Sequence, residues 1–309
     1  MGLVRAAFTK DPAYLSFLDG QSTNKIGHRR TEAQSRKYIA DKRALLLCLR
    51  ASVANILPKA TMQRHRFYAP PAQINAPLIS LSDDEAHHLA RVLRLPVGAQ
   101  VFAFDGCGHE YACEISQVGK RTAELTITEE LTNVVESPLQ LTLAVALLKG
   151  DKFDWVVQKA TELGVTRIVP LLTEHSDIRK AEARAETKLQ RWQRIALEAL
   201  KQCGRRTVVE FAEPVSWEKF CQQETAAALL FFSERGGRRF ANFGHEQGGC
   251  PPPQELILAV GAEGGWSETE LKLAEQSGWD SISLGPRILR AETAAIAAFM
   301  LAQEWFGDL

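Results

Sequence analysis

The sequence predicts a two-domain α/β protein, in which a small antiparallel β-barrel precedes a domain of alternating strands and helices. Three observations support this fold class. The chain has 309 residues, 45% apolar and 24% charged, which is enough globular sequence for two cores. Short runs that alternate apolar and polar residues dominate residues 62–137. From residue 138 onward, apolar strands alternate with amphipathic helices.

The first 61 residues differ from the rest in charge. They carry 11 Lys or Arg against 4 Asp or Glu, a net charge of +7, whereas residues 62–309 carry 26 against 33. A targeting segment, a basic tail that binds RNA and upstream sequence included by a mis-assigned start are the three interpretations. We favour the mis-assigned start, because Met62 directly precedes the folded pattern.

Cysteine spacing and hydropathy exclude two classes of protein. The six cysteines have no paired spacing, which favours a reducing compartment over a disulfide framework. Cys107, His109 and Cys113 form the one tight cluster, but a structural zinc site needs a second close pair, so we predict no metal. No apolar run approaches the roughly 20 residues that span a bilayer, so we predict no membrane partner.

The barrel domain contains one predicted helix and three predicted strands. Ser82 and Glu85 form a predicted capping box, in which the serine accepts an amide hydrogen bond and the glutamate reaches back. A helix is therefore expected over residues 83–94. Alternating residues predict strands over residues 100–104, 109–116 and 121–127, with glycine turns between them.

Four arginines are expected at one end of this barrel. Arg91 and Arg94 are three residues apart on the predicted helix and share a face. Together with Arg64 and Arg66 they form a candidate phosphate contact. An ordinary solvated helix face explains the same residues equally well, so both interpretations stay open.

Strands and helices alternate throughout residues 138–309. The predicted elements are strand 139–148, helix 151–163, strand 165–172, helix 185–203, a strand near 208, helix 216–224, strand 227–232, strand 256–260, a helix capped by Ser267 and Glu270, strand 281–284 and helix 291–306. Residues 233–254, rich in glycine and with three consecutive prolines, are too long for an ordinary connection and predict a mobile or functional loop. A disordered insertion is the alternative for its tip.

Two loops at the ends of the last strands contain the candidate chemistry. Gly261, Gly264 and Gly265 follow one strand and allow a backbone to approach a ligand, although turns also need glycine. Their spacing matches neither the dinucleotide nor the P-loop fingerprint, which opposes a nucleotide-dependent oxidoreductase of doubly wound type. In the second loop, Ile288 and Leu289 separate two arginines, which predicts a partly buried loop whose arginines need anionic or carbonyl partners.

These loops carry a family resemblance. The segments Gly261-Ala262-Glu263-Gly264-Gly265 and 284–294 resemble the signature of the ribosomal RNA small subunit methyltransferase E family, which belongs to the SPOUT superfamily. The resemblance extends to residues 149–152, 158–165 and 202–205 and covers about residues 62–309. Ala262 stands where the family usually has proline, and His175 stands where it usually has arginine, which weakens a phosphate contact there.

The resemblance implies a specific fold and function. The fold would be a PUA-like RNA-binding barrel, residues 62–137, and a SPOUT α/β domain, residues 138–309, whose last elements form a trefoil knot. The protein would be a cytoplasmic homodimer that binds S-adenosylmethionine and methylates N3 of a uridine in 16S ribosomal RNA or the small ribosomal subunit. The main alternative is a non-catalytic RNA-binding protein of the same fold.

The resemblance also assigns roles to individual residues. The implied cofactor-binding residues are Phe232, Gly261, Glu263, Gly264, Gly265, Leu284, Gly285, Pro286, Ile288, Leu289 and Thr293. The implied RNA-binding residues are Arg64, Arg66, Arg91, Arg94, Lys152, Arg179 and Arg205. Because uracil N3 is a poor nucleophile until its proton leaves, Arg290 is expected to stabilise the uracil anion at a carbonyl oxygen. Glu263 or Glu292 is expected to act as the base, to hold Arg290 or to cap its helix.

Overall fold

The computed structural model describes residues 64–119, 121–132, 136–176, 185–224, 228–247 and 253–309. The chain divides after Met62, and all of the described residues lie in the unit Gln63–Leu309. The basic segment 1–61, the proposed start at Met62 and the predicted RNA contact Arg179 lie outside the described residues.

Six strands form the sheet of the N-terminal domain. They are β1 (Arg66–Tyr68), β2 (Ile74–Asn75), β3 (Leu78–Leu81), β4 (Gln100–Phe104), β5 (Glu110–Val118) and β6 (Ala123–Leu131). Their order in the sheet is β1-β4-β5-β6-β3-β2. The three predicted strands correspond to β4, β5 and β6. The expectation of an antiparallel barrel is wrong for one strand pair, because β1 pairs with β4 in parallel across a connection that contains β2, β3 and the helical residues 83–93.

The predicted helix over residues 83–94 is present in two parts. Helix α1 (Asp83–His87) continues as a π-helical stretch, His88–Leu93. The Ser82 hydroxyl accepts a hydrogen bond from the Glu85 N–H at 3.4 Å, as predicted. The prediction that Glu85 reaches back to the Ser82 backbone is wrong, because the buried Glu85 carboxylate pairs with Lys201 of the C-terminal domain. A tertiary ion pair therefore replaces the local hydrogen bond.

Eight parallel strands form the sheet of the C-terminal domain. They are β7 (Gln140–Ala146), β8 (Arg167–Leu172), β9 (Glu210–Phe211), β10 (Val215–Ser216), β11 (Ala228–Phe232), β12 (Arg238–Arg239), β13 (Glu255–Val260) and β14 (Asp280–Ser283). The order is β10-β8-β7-β13-β11-β14-β12, with β9 beside β8. Strands β11, β13 and β14, from different parts of the chain, are neighbours, so their carboxyl ends meet at one edge.

Helices cover both faces of this sheet. They are α2 (Lys152–Glu162), α3 (Ala185–Cys203), α4 (Trp217–Gln223), α5 (Phe240–Gln247), α6 (Glu268–Gln276) and α7 (Ala291–Phe306). Leu258 on β13 belongs to a hydrophobic cluster with residues of α2, α3, α5 and α7, whereas its neighbour Ala259 belongs to a second cluster with residues of α4 and α6. Strands buried on both faces are apolar along their whole length, which explains why the sequence predicts them well. In the described part of the chain no helix is both long and apolar enough to span a membrane.

The expected loop over residues 233–254 contains regular structure. Strand β12 and helix α5 occupy its middle, and Phe240 and Phe243 of α5 are buried in the main core. The prediction of a loop is therefore wrong for residues 238–247. It failed because a two-residue strand and a helix of eight residues are too short to show a clear hydrophobic period. Residues 248–252 lie outside the described residues.

A buried charge cluster, defined as Arg66, Glu110 and Arg206, joins the two domains. The Glu110 carboxylate accepts from Arg66 Nε at 2.7 Å through one oxygen and from Arg206 Nη2 at 2.9 Å through the other. Arg66 also donates to the carbonyl oxygen of Leu200 at 2.6 Å. All three charged side chains are nearly inaccessible to solvent. The cluster therefore fixes the N-terminal sheet against α3.

Candidate functional site

A cavity of about 620 Å³ lies at the carboxyl ends of β11, β13 and β14. Open α/β sheets bind ligands at such strand ends. Nine of the eleven predicted cofactor-binding residues line it: Phe232, Gly261, Glu263, Gly264, Gly265, Leu284, Gly285, Ile288 and Leu289. Pro286 and Thr293 do not line it. The structure thus brings two loops together that are about twenty residues apart in the chain.

The glycines of the loop 261–265 make room for protein neighbours. A Cβ on these glycines would approach a side chain within 3.0 Å: Trp266 at Gly261, His175 at Gly264 and Glu234 at Gly265. The sequence-based expectation was that the missing side chains leave room for a ligand. The close packing shows instead that they let Trp266 and His175 press against the loop and hold its shape.

At Gly285 the missing side chain leaves open space, as was expected for the glycines of the loop 261–265. Its φ is +112°, which L side chains rarely adopt, and a Cβ built there meets nothing within 4 Å. Because Gly285 lines the cavity, its missing side chain leaves space at the cavity wall.

The Glu263 carboxylate is hydrogen-bonded to the segment that follows β7. Its Oε1 accepts from Lys152 Nζ at 2.9 Å and from the backbone N–H of Lys149 at 3.2 Å. Burial alone would raise the pKa of Glu263, but the hydrogen bonds from Lys152 and the backbone outweigh it and lower the pKa. This contact stabilises the fold above the ordinary carboxyl pKa and is lost as the pH falls through the lowered value.

Replacing Lys152 with methionine should raise the pKa of Glu263, because the charged donor is lost while the burial remains. The measurement is a carbon-13 NMR titration of the Glu263 carboxyl. Lys149→Met is the matched control, because Lys149 donates through its backbone N–H, which the substitution keeps. A Glu263 pKa that is the same in the Lys152 variant and the unsubstituted chain would contradict this assignment.

Arg287 and Arg290 line the cavity with exposed side chains. Within the residues that the structure describes, neither guanidinium has a hydrogen-bond or salt-bridge partner. The expectation that their loop is partly buried is wrong at Ile288, which is 83% exposed. Leu289 is half-buried. The loop therefore presents two uncompensated cations beside the cavity, which suits an anionic or carbonyl ligand.

Glu292 lies apart from the cavity lining. It is buried at the first turn of α7, where a negative charge is favourable. Its Oε2 has no hydrogen-bond partner among the described residues. Neither Glu292 nor Glu263 pairs with Arg290, so the interpretation that one of them holds this arginine is wrong.

Two predicted RNA contacts have structural roles instead. Arg66 belongs to the buried charge cluster described above. Arg205 is also buried, and it donates to the Glu136 carboxylate and to two backbone carbonyls, of Thr161 and Val165, at 2.8 to 2.9 Å. Because their donors are directed inward, neither side chain can reach RNA in this structure. The prediction that Arg66 and Arg205 bind RNA is therefore wrong. Arg66 joins the two domains, and Arg205 fixes the loops around it.

The remaining basic candidates are accessible. Arg64, Arg91 and Arg94 are exposed on the N-terminal domain, and Arg64 lies over the ring of Phe102 at 4.7 Å. Arg94 ends the π-helical stretch with a left-handed φ of 53°. Lys152 lines the cavity beside Glu263. These four residues stay predicted RNA contacts.

Cys107, His109 and Cys113, which form the tight cluster in the sequence, do not share a ligand site in the structure. Cys113 is buried in the core of the N-terminal sheet, and burial raises its pKa to about 12. His109 Nδ1 lies 3.4 Å from a carboxylate oxygen of Glu130. Across the residues described here, no three metal-binding side chains come together.

Sequence reasoning missed that His175 and Glu234 lie beside the glycine loop. His175 Nδ1 lies 3.1 Å from the carbonyl oxygen of Gly265, which fixes the loop from outside the cavity. Glu234 lines the cavity itself. The signal for Glu234 was its position two residues after a buried parallel strand, where ligand-binding side chains concentrate.

Two family descriptions match the chain. The family described as RNA methyltransferase domain matches residues 135–303, which is more than half of the chain. The family described as RNA methyltransferase PUA domain matches residues 81–128. The fold is therefore a PUA-like domain followed by a SPOUT-like methyltransferase domain.

The chain resembles curated proteins along most of its length. It is 35% identical over 237 residues to the ribosomal RNA small subunit methyltransferase E of Synechocystis sp., covering 76% of this chain and 75% of that protein. It is 32% identical to the protein of the same name from Bacillus subtilis, covering 77% of this chain and 94% of that protein.

Solved structures show the same architecture. A methyltransferase of Legionella pneumophila in complex with the bound cofactor S-adenosylmethionine is 33% identical, with a TM-score of 0.74 over 80% of this chain and 100% of that one. A ribosomal RNA small subunit methyltransferase E of Neisseria gonorrhoeae bound to S-adenosylmethionine is 32% identical, with a TM-score of 0.72 and the same coverage. By these matches, the chain belongs to the ribosomal RNA small subunit methyltransferase E family.

Proposed function

We propose that this chain transfers a methyl group from S-adenosylmethionine to N3 of a uridine in small-subunit ribosomal RNA. The observation that carries the proposal is the strand-end cavity with the uncompensated Arg290 at its wall. Two similar structures are described with S-adenosylmethionine bound, and the relatives are named for the small-subunit RNA.

The residues of the cavity fit this cofactor. Phe232, Leu284 and Leu289 provide apolar surface for an adenine ring, and Gly285 leaves space beside them. Glu263 provides a carboxylate, which suits a ligand with an ammonium and a sulfonium charge. When bound, S-adenosylmethionine supplies an electrophilic methyl group.

Arg290 contributes most to the chemistry of the RNA substrate. Uracil N3 must lose its proton to become a nucleophile, and the resulting charge spreads to O2 and O4. A guanidinium at the cavity wall can donate hydrogen bonds to one of these oxygens and so favour the anion. The absence of a protein partner for Arg290 among the described residues leaves all of its donors available for this purpose.

Neither Glu263 nor Glu292, the two carboxylates expected to act as the base, is well suited to that role. The lowered pKa of Glu263 makes it a weaker base, and one of its oxygens already accepts two hydrogen bonds. Glu292 does not line the cavity. We therefore propose that Glu263 positions Lys152 and the glycine loop, and that Glu292 stabilises the start of α7.

The RNA is proposed to contact both domains. Arg64, Arg91 and Arg94 present exposed cations on the PUA-like domain, residues 62–137. Lys152, which is half-buried and paired with Glu263, lies at the cavity of the methyltransferase domain, residues 138–309. Phosphate contacts of this kind position RNA without reading its sequence. The buried charge cluster between the domains would keep the two contact regions at a fixed separation.

Replacing Gly264 with valine should lower the affinity for S-adenosylmethionine by at least about tenfold. A Cβ at this position would lie 2.9 Å from the Cβ of His175, so the loop must shift at the cavity wall. Calorimetric titration measures the affinity, and the melting temperature checks that the fold is retained. An unchanged affinity in a folded variant would contradict a role for this loop in binding.

We also propose that two copies of the chain form a homodimer. Trp155 on α2 and Met300 on α7 are 48% and 44% exposed, and these two helices pack against each other. Large apolar side chains that are exposed on adjacent elements are typical of interfaces. Trp155→Arg should therefore shift the sedimentation coefficient toward that of a monomer. Val97→Arg, at an exposed valine of the other domain, is the control expected to have no effect.

The experiment that tests the function is methyl transfer by the purified chain. Small-subunit particles and large-subunit RNA are each incubated with methyl-labelled S-adenosylmethionine, and the label in RNA is counted. We expect label in the small-subunit RNA alone. A chain that binds the small-subunit RNA but transfers no label would instead be the non-catalytic RNA-binding protein of the same fold.

A further inference from the structure

Glu234 is a cavity-lining carboxylate to which the mechanism above assigns no part. We propose that it binds the ribose hydroxyl groups of S-adenosylmethionine. The inference rests on the proposed function and deepens it by naming the part of the cofactor that one residue recognises. Its support comes from the position of Glu234 in the sheet, from its partners and from its surroundings in the cavity.

The position of Glu234 follows from the sheet topology. Strand β11 lies between β13 and β14, and it ends at Phe232, two residues before Glu234. The side chain therefore enters the cavity between the glycine loop that follows β13 and the arginine loop that follows β14. Its Oε1 is close enough to Gly265 that a Cβ there would lie 2.6 Å away. Glu234 thus forms part of the wall between the two loops.

Glu234 keeps its hydrogen-bonding capacity. It accepts no hydrogen bond within the described residues, and its ion pair with Arg235 is long, at 3.7 Å. Arg235 is held instead by Glu268 outside the cavity, at 2.5 Å. The other cavity carboxylate, Glu263, is already engaged by Lys152. Glu234 is therefore the lining carboxylate that is best able to accept two hydrogen bonds from a ligand.

The surroundings of Glu234 favour a ribose over an ammonium group. Glu263 and Lys152 lie on the β7 side of β13, where opposite charges suit the amino-acid end of the cofactor. Glu234 follows β11, on the other side of β13, and it lines the same cavity as the apolar side chains of Phe232, Leu284 and Leu289 that suit an adenine. The ribose is attached to the adenine, so its two hydroxyls would lie nearest to Glu234. Acidic side chains bind ribose hydroxyls in other parallel sheets.

The test compares three ligands by calorimetry with the unsubstituted chain and with Glu234→Ala. S-adenosylmethionine has the two ribose hydroxyls and both positive charges, and 5′-methylthioadenosine has the hydroxyls without those charges. The third ligand, 2′,3′-dideoxy-5′-methylthioadenosine, lacks both the hydroxyls and the charges. We expect the substitution to weaken binding of the first two by about tenfold to a hundredfold, the range for hydrogen bonds to a charged group. Binding of the dideoxy compound should be unchanged.

The other outcomes separate the alternatives. If only S-adenosylmethionine binds more weakly, Glu234 contacts the charged end and the ribose assignment is overturned. An equal loss for all three ligands would show a structural role and would overturn it as well. Glu268→Ala removes the outer partner of Arg235 and should leave all three affinities unchanged. An unsubstituted chain that binds no S-adenosylmethionine would overturn the proposed function, and this assignment with it.

Discussion

Replacing Arg290 with alanine is expected to lower the rate of methyl transfer by about a hundredfold or more, the scale for losing one preorganised donor to a developing anion. Arg290 has no partner among the described residues, so its removal leaves no buried charge uncompensated. The fold and the affinity for S-adenosylmethionine should therefore hardly change. Single-turnover transfer to small-subunit particles measures the rate, and calorimetry measures the affinity.

Arg290→Lys is the matched variant for this prediction. A lysine restores the charge but lacks the planar arrangement of donors, so we expect only partial rescue of the rate. Arg287→Ala provides the control for loss of a positive charge from the same loop. A loss of cofactor affinity in proportion to the rate in the Arg290→Ala variant would show that Arg290 acts on the cofactor or on the loop, and not on the uracil.

Replacing Glu110 with glutamine is expected to lower the free energy of unfolding by about 3 to 5 kcal/mol, the range for breaking a buried ion pair from one side. Glu110 is 2% exposed and is the shared acceptor for Arg66 and Arg206. Its neutralisation leaves two buried guanidinium groups facing each other with little compensation. Chemical denaturation of this variant, of its control Glu114→Gln and of the unsubstituted chain, followed by circular dichroism, measures the change.

Glu114→Gln is the control for this substitution. Glu114 is on the same strand, β5, but is exposed, and among the described residues its carboxylate accepts a hydrogen bond from Gln100 alone, at 3.3 Å. Its change should cost less than about 0.5 kcal/mol. Equal stabilities of the two variants would mean that the charge cluster does not hold the domains together.

The elements that could be predicted from the sequence are those with a strong hydrophobic period. Helix α3 was predicted with its observed bounds, and the apolar strands β7 and β13 within a few residues. Each of these elements either is buried on both faces or presents one continuous apolar stripe, so its period is visible locally. The capping box at Ser267 and Glu270 is also confirmed, because both of its hydrogen bonds are local.

The features that could not be predicted depend on distant neighbours. Arg66 and Arg91 look alike in sequence, but Arg66 faces a buried glutamate 44 residues away and Arg91 faces solvent. Glu85 has the spacing of a capping residue but binds a lysine 116 residues away. Side-chain type therefore predicts which residues can bind RNA, whereas the tertiary structure decides which of them are accessible.

The position of the candidate site could be predicted from the pattern of buried strands. Its two loops follow buried parallel strands, so their place at one edge of the sheet follows from the fold class. The packing reason for the glycines was not predictable, because it depends on His175 and Trp266 from other segments. The trefoil knot implied by the family resemblance stays a prediction.

The measurement that tests the central claim most directly is the identity of the nucleoside that the chain produces. Small-subunit RNA from cells lacking the gene is digested to nucleosides and analysed by mass spectrometry, with and without the unsubstituted chain or Arg290→Ala supplied in trans. We predict that 3-methyluridine is lost from this RNA in the deletion, restored by the unsubstituted chain and not restored by Arg290→Ala. Unchanged 3-methyluridine in the deletion, or restoration of a methyl group on another atom, would contradict the account.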